Sequence, residues 1–457
     1  MFQVGPSDNT NPWSGKGRKL TDVETTTISK VSDTTDKKRP QCEDVIEISS
    51  DEEASDLKPQ YISGRCLLTR AYGFAQGITL EDLIDKESLQ KAIISSFVVD
   101  KKWLEGFLKP EVSVCLIENS ESKDFKGARL IGPKYLVVHP PTKGFGSMHA
   151  KIMLLIYPHF LRMTVGSANL VPHDWVWIEN LVYVQDFPRK NEKSKRAKVD
   201  SGLGQDILRF LKHLSVPDAV GEALHDFDFS NAQVELVFSI PDEYTDEDIG
   251  LNMLGSKVCS LFPKNHILKQ GELYYQSSSL GYLTRAFIQD FWAHVYPSLK
   301  AESNLKVVFP STKTVLNSRL GISGAGTIFF NSKNFQSPEF PKSFLCDSVS
   351  LREGSLSHCK IITGSAQIAQ NGSSVTEVKW FYCGSHNFTA AAWGRVRKSK
   401  TDKRVCHQAS NYEVGVVGIQ SQALFSTPFV FPPPEYQSSD TPFRQIEFFR
   451  PQSENKP

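Results

Sequence analysis

Apolar and polar positions change character near residue 58 of the chain. Upstream, Ser, Thr, Asp and Lys dominate and large apolar groups are sparse. Residues 1–58 therefore cannot bury enough surface to offset the entropy of ordering, and a disordered regulatory tail is expected. From "YISGRCLLTRAYG" onward the pattern becomes globular. "LEDLIDKESLQKAIISSFV" (80–98) spaces Leu, Ile and Ala at helical period and predicts a helix. "EVSVCLIE" and "KYLVVHPP" alternate or run apolar like strands; "HAKIMLLIY" and "FLRMTVGSANL" add two more, the last ending in a Gly-Ser turn. "GQDILRFLKHLSV" predicts the helix that closes this half. A second half opens at "NAQVELVFSIP" and continues through a helical "GYLTRAFIQDFWAHVYPSL", a strand "NLKVVFPS", then "SHCKIITGS", "EVKWFYCGSHNFTAAAWG" and "NYEVGVVGIQ". Strands interleaved with helices in each half predict two similar layered α/β domains, over 59–228 and 229–450, related by a pseudo-two-fold axis. After residue 425 the "PPP" run predicts a wrapping segment, with a fraying end at "RPQSENKP".

Composition narrows this picture. A net charge of +1 carries no global bias toward a polyanion, so any nucleic-acid surface must be a local patch. Eight scattered cysteines without a C-x-x-C predict reduced thiols and no structural zinc. The N-terminus lacks an apolar leader core and no stretch is long enough to span a bilayer, so neither secretion nor membrane insertion is expected. Within the tail, "VIEISSDEEASD" sets Val45, Ile46 and Ile48 before an acidic run. That pattern resembles a SUMO-interacting motif, a strand added to a partner's sheet edge; a solvated acidic linker is the plain alternative. "RKNEKSKRAKVD" (189–200) predicts a basic loop, and with the tail it suggests a nuclear protein.

The chemistry lies in an ordering that occurs twice. His149-Ala150-Lys151 is followed by Asn169 in "GSAN", and His358-Cys359-Lys360 by Asn387 in "GSHN". These are the only two H-x-K triplets and the only two G-S-x-N tetrapeptides in the sequence. On a strand, residues i and i+2 share a face, so each His and Lys should point together and Cys359 should turn to the core. Lysine offers a point charge and three donors, and an asparagine amide adds a neutral donor. Two such sets facing one another would surround the transition state of a phosphodiester, where negative charge grows on the equatorial oxygens. One imidazole, neutral, would serve as nucleophile and the other, protonated, as acid. No carboxylate cluster at metal-ligand spacing accompanies them, so no metal and no cofactor is expected.

Two H-x-K motifs resemble the phospholipase D superfamily. Its common H-x-K-x4-D form would require Asp at Ile156 and Ser365. The variant with a downstream Asn in a Ser-x-Asn turn is similar to the tyrosyl-DNA phosphodiesterases, as are "LLTRAYG", "PPTKGFGSMHAKIMLLIY", "GSANLVPHDW", "QSSSLG" and "NYEVGV", over about residues 59–450. The resemblance implies two phospholipase D-like α/β/α sandwich domains with the active site at their interface. It implies metal-independent removal of a topoisomerase IB-derived tyrosyl peptide from a DNA 3′ end, single-stranded or nicked, by a monomeric enzyme that leaves a 3′ phosphate and can process other 3′ adducts. His149 would form the phosphohistidine, and His358 would act as acid, then base. Lys151, Lys360, Asn169 and Asn387 would hold the phosphate. Glu413 would orient His149; a second orienting residue is either Asn180 or Glu179. Phe145 would stack on a base, and Ser279 and Ser318 would bind backbone phosphate.

Blander roles stand beside these. Asn169 and Asn387 fit turns that tolerate a left-handed backbone. Ser277 to Ser279 fit a helix N-cap, Phe145 fits a core plug, and Trp175 and Trp393 fit packing. A lipid phosphodiesterase and a DNA-binding scaffold without chemistry are the competing functions.

Overall fold

The structure, a computed structural model, describes residues 57–120, 126–144, 146–191, 202–245, 248–299, 304–369, 375–398 and 405–448. Phe145, the segment containing Val45, Ile46 and Ile48, most of the basic loop 189–200 and the last residues of the chain lie outside the described residues.

Two large mixed sheets dominate. The first has eight strands: β1 (Arg65–Leu68), β2 (Lys91–Ser95), β3 (Ser113–Ile117), β4 (Gly127–Leu130), β5 (Tyr135–His139), β6 (Ile152–Ile156), β7 (Phe160–Gly166) and β8 (Leu181–Pro188), in the spatial order β1-β8-β7-β6-β2-β3-β5-β4. Strands β2, β3 and β5 run parallel, and the remaining neighbours are antiparallel. The second has seven strands, in spatial order Leu345–Asp347, Leu305–Phe309, Ile267–Gln276, Ile361–Ala369, Thr376–Gly384, Glu413–Ile419 and Glu235–Ser239.

The period-2 pattern assigns each face. In β6, Ile152, Leu154 and Ile156 enter a central cluster, while Met153 and Leu155 enter an outer one. The central cluster joins both sheets: Leu154 and Leu181 meet Phe381, Cys383 and Val414, together with Ile207 and Phe210 of the helix Gly202–His213. Cys359 belongs to this cluster, as its place between His358 and Lys360 predicts. Outside, the helices Leu80–Leu83 and Lys101–Glu105 cover the first sheet, and Gly250–Ser260 and Arg285–Val295 cover the second. The order is helices, sheet, shared core, sheet, helices. Each fully buried Leu, Ile or Phe in these layers contributes about 1.5–3 kcal/mol.

The helix expected over 80–98 is not formed. Only Leu80–Leu83 is helical, fixed by a Thr79–Asp82 capping box, and "KAIIS" is β2. A strand flanked by β3 and β6 and buried on both faces reads as a continuous apolar run, which periodicity does not separate from a helix. Beyond residue 425 the chain wraps the second sheet's edge: Phe429 bridges Ser350, Glu435 bridges Cys346, and Phe443 is buried.

Candidate active site

Each His-x-Lys segment ends just where its strand begins, at Ile152 and Ile361, rather than inside it. The reason is a crossing of the backbone between halves. Met148 bridges Tyr412, and the His149 N–H donates to the Tyr412 carbonyl at 2.9 Å. In the other half, Ser357 bridges Glu179, and the His358 N–H donates to the Glu179 carbonyl at 2.7 Å. Each segment leaves its own sheet to pair with a loop of the opposite half, which carries both histidines to the seam.

The next residue of each receiving loop then grips the arriving imidazole. Glu413 Oε2 lies 2.7 Å from His149 Nδ1, and Asn180 Oδ1 lies 3.0 Å from His358 Nδ1. The serine of each G-S-x-N turn completes the mirror pattern. Ser385 Oγ donates to Glu413 Oε2 at 2.6 Å and accepts from Val414 N at 3.0 Å; Ser167 Oγ donates to Asn180 Oδ1 at 2.8 Å and accepts from Leu181 N at 3.1 Å. Of the two alternatives left by the sequence, Asn180 therefore touches His358. Glu179 turns away, accepting from Ser350 Oγ at 2.8 Å.

Both lysines are buried, and each Nζ donates to the carbonyl of its own histidine. Burial pushes Lys151 down to about 8, partly offset by Glu413 and Asp174. Burial, and then the neighbouring Lys151, press Lys360 well below its ordinary value. Two desolvated lysines beside one another favour an anion between them. Burial also lowers His149 despite the pull of Glu413, and it lowers His358 strongly, helped by Lys360. Although burial opposes its charge, the His149 contact holds Glu413 at about 2. The consistent protonation state is a neutral His149 that donates Nδ1–H to an ionised Glu413 and exposes the Nε2 lone pair.

Asn169 donates from N and Nδ2 to Asp174 Oδ2 at 2.7 and 2.9 Å, and Trp175 Nε1 donates to its carbonyl at 2.8 Å. Asn387 Oδ1 accepts from Ser277 Oγ, Ser278 Oγ and Ser279 N, which leaves its amide N–H groups for the groove it lines. Neither asparagine has positive φ, so neither is placed for a left-handed turn. Ser277 to Ser279 brace Asn387 and are not a cap; Thr284 caps the following helix.

His149, His358, Asn169, Asn387 and Ser279 all line one groove of about 1040 Å³ between the halves. Ser318 does not reach it: its hydroxyl donates to Val315 O at 2.8 Å. Four participants escaped the sequence reading. Asp174 Oδ2 stands 3.5 Å from His358 Nδ1; burial opposes its charge, but His358 and hydrogen bonds from His173 and Asn169 hold it at about 2. Its position five residues after Asn169, in "GSANLVPHDW", was the available signal. Ser167 and Ser385 were visible as the invariant second letters of the two tetrapeptides. Phe97, whose ring centroid is 5.0 Å from that of His149, had no sequence signal.

A family model described as tyrosyl-DNA phosphodiesterase matches residues 67–452. Tyrosyl-DNA phosphodiesterase 1 of Arabidopsis thaliana is 24% identical over 375 residues, which are 75% of this chain and 59% of that protein. A probable tyrosyl-DNA phosphodiesterase of Caenorhabditis elegans is 25% identical over 319 residues, 65% of this chain and 68% of the relative. The crystal structure of the yeast tyrosyl-DNA phosphodiesterase is similar in fold, with a TM-score of 0.64 at 18% identity, over 83% of this chain and 100% of that one.

Proposed function

Because the chain belongs to the tyrosyl-DNA phosphodiesterase family, we propose that it hydrolyses the phosphodiester joining a DNA 3′ end to the tyrosine of a topoisomerase-derived peptide. The observation that carries this reading is that both histidines and both asparagines line one groove, each histidine gripped by the opposite half and tied through its carbonyl to a buried lysine. In the first step His149 Nε2 attacks phosphorus and the bond to the tyrosyl oxygen breaks. His358 supplies the proton that this oxygen needs. Burial and the neighbouring Lys360 disfavour a charged His358, but a bound phosphate brings negative charge beside it, and this raises its pKa. Lys151, Lys360 and the amides of Asn169 and Asn387 stabilise the equatorial oxygens. In the second step the now neutral His358 takes a proton from water. The hydroxide attacks phosphorus, the P–N bond breaks, and a 3′ phosphate leaves. We assign the charge-neutralising part to the lysines and therefore place no metal at the reacting phosphorus. The two units that bring the sets together run over 59–228 and 229–450 in this reading.

The test is a labelled 3′-phosphotyrosyl oligonucleotide. His149→Ala should lower turnover by roughly a thousandfold or more. His358→Asn should accumulate a protein–DNA adduct stable to denaturation, because water lacks its base in the second step. Turnover should persist in EDTA. An adduct formed equally by His149→Ala, or activity that vanishes in EDTA, would overturn the reading.

A further inference from the structure

A second cluster of donor atoms stands apart from both His-x-Lys sets. Asp290 and His294 lie four residues apart on the helix Arg285–Val295, and so share one face. His407 meets them from the strand Val405–Gln408. One donor atom of each lies within 4.8 Å of the other two, the only such group of three His, Cys, Asp or Glu among the described residues. We propose that Asp290, His294 and His407 form a site for a divalent first-row metal ion, with Zn2+ the species this donor set suits best. Two imidazoles and one carboxylate are borderline donors of the kind zinc takes, and three protein ligands leave a position for water or another oxygen.

The local geometry carries the argument. Ligand atoms about 2.0–2.1 Å from a tetrahedral zinc are roughly 3.3 Å apart. His407 Nε2 and Asp290 Oδ2, at 3.2 Å, already stand at that spacing. His294 Nδ1 lies 2.7 Å from the Asp290 carbonyl oxygen and 3.5 Å from Oδ1. Donating Nδ1–H to a backbone carbonyl fixes the tautomer that leaves Nε2 as the lone-pair donor, the outer-shell arrangement found behind metal-bound histidines. The two imidazole rings meet edge to face with centroids 4.9 Å apart. Tyr244 stacks on His407, and its hydroxyl donates to the Trp393 carbonyl at 2.7 Å, which holds that ring in place. Bringing all three donors to that spacing requires a shift of at most about 1.5 Å, and His294, with 25% of its side chain exposed, has the room.

The location gives the ion a consequence. Asp290 lines the groove, so the ion would stand at its wall. His407 lies six residues before Glu413, so the ion would clip the helix to the strand that leads to the residue gripping His149. The expectation of no structural zinc rested on cysteine spacing. These donors come from a helix and from a strand 113 positions later, which no spacing rule joins. The inference does not depend on the reaction proposed above.

Chelator-treated full-length protein, titrated with Co2+, tests it. One equivalent should bind with the visible absorption of a low-symmetry Co2+ site, and Zn2+ should displace it. Zn2+ should also raise the melting temperature. His407→Gln should weaken binding by more than roughly a hundredfold and abolish the Zn2+-dependent shift while melting as the metal-free wild type does. Asp290→Asn, which keeps the shape and removes the charge, should weaken binding by a smaller factor. Because His149 and His358 are themselves potential ligands, a His149→Gln/His358→Gln protein is the control, and it should retain the full equivalent. Failure of the wild type to bind Co2+ or Zn2+ at micromolar concentration overturns the proposal. So does binding that survives His407→Gln, or that disappears in the control.

Discussion

At the scale of the residue, the site is organised by charges held out of water. Lys151 and Lys360 are buried beside one another, and the carboxylates closest to the site, Glu413 and Asp174, are already engaged with His149 and Asn169. An anion relieves this repulsion, so each lysine must bind it protonated. With burial holding Lys151 at about 8, an anion that raises this value takes up a proton above that pH. Sulfate, which does not titrate in this range, should therefore compete with substrate best at or below pH 8. Its inhibition constant should rise by up to about tenfold per pH unit above pH 8 for each lysine that must be protonated. Competition kinetics from pH 6 to 9.5 (approximate limits of the assay) measure this, and a flat profile would exclude the depressed lysine. The His, Lys and Asn positions were legible in the sequence because they recur as a motif. Asp174 and Phe97 lie outside the repeat: the first was signalled only by its place five residues after Asn169, and the second by nothing.

At the scale of the element, the two G-S-x-N turns do more than present an asparagine. Their serines hold the residues that grip the opposite histidines, and this requires the turn backbone to press against the neighbouring strand. A Cβ at Gly166 would lie 2.5 Å from the Leu181 carbonyl, and one at Gly384 would lie 2.5 Å from Gly415 Cα. Gly384→Ala should destabilise the fold by about 1–3 kcal/mol, as overpacking does. It should also lower kcat by displacing Ser385 and Asn387, whereas a surface change of the same size would leave kcat alone. Urea denaturation and steady-state kinetics on one preparation separate the two effects. Element boundaries were the less legible part of the chain. "KAIIS" reads as helix by its run of apolar residues, yet its burial between two strands makes it β2. The strand Ile267–Gln276, "ILKQGELYYQ", escaped because its interior carries Lys, Gln, Gly and Glu.

At the scale of the whole molecule, the halves complete one another. Glu413 from the second serves His149 of the first, and Asn180 from the first serves His358 of the second. The shared core makes this exchange rigid, and it buries several imidazoles in their neutral form. Burial lowers His149 and His358 below 6.5, and it lowers His386 to about 3. Between these values and 6.5 the unfolded chain binds protons that the folded chain does not. Stability therefore increases with pH through this window and is lost as pH falls below about 6.5. Glu413 and Asp174, held at about 2, act in the same direction below pH 4.5. The melting temperature of the ligand-free protein should fall steadily from pH 7 to pH 4 (approximate limits of that window). Sulfate should flatten the upper part of the curve by favouring the charged histidines. A melting temperature independent of pH would show that these groups titrate alike in both states.

The sequence by itself determined the candidate reactive groups and their duplication, because an H-x-K triplet and a G-S-x-N turn are local patterns and their repetition is countable. It also determined which faces of the strands are apolar, since side chains alternate with a period of two. The tertiary structure alone decided that Asn180 rather than Glu179 reaches His358, and that Ser279 reaches the groove while Ser318 does not. It also gathered Asp290, His294 and His407. Each of these depends on distances between segments more than a hundred residues apart, or on which way a buried side chain turns. Packing sets those quantities, and no spacing along the chain encodes them.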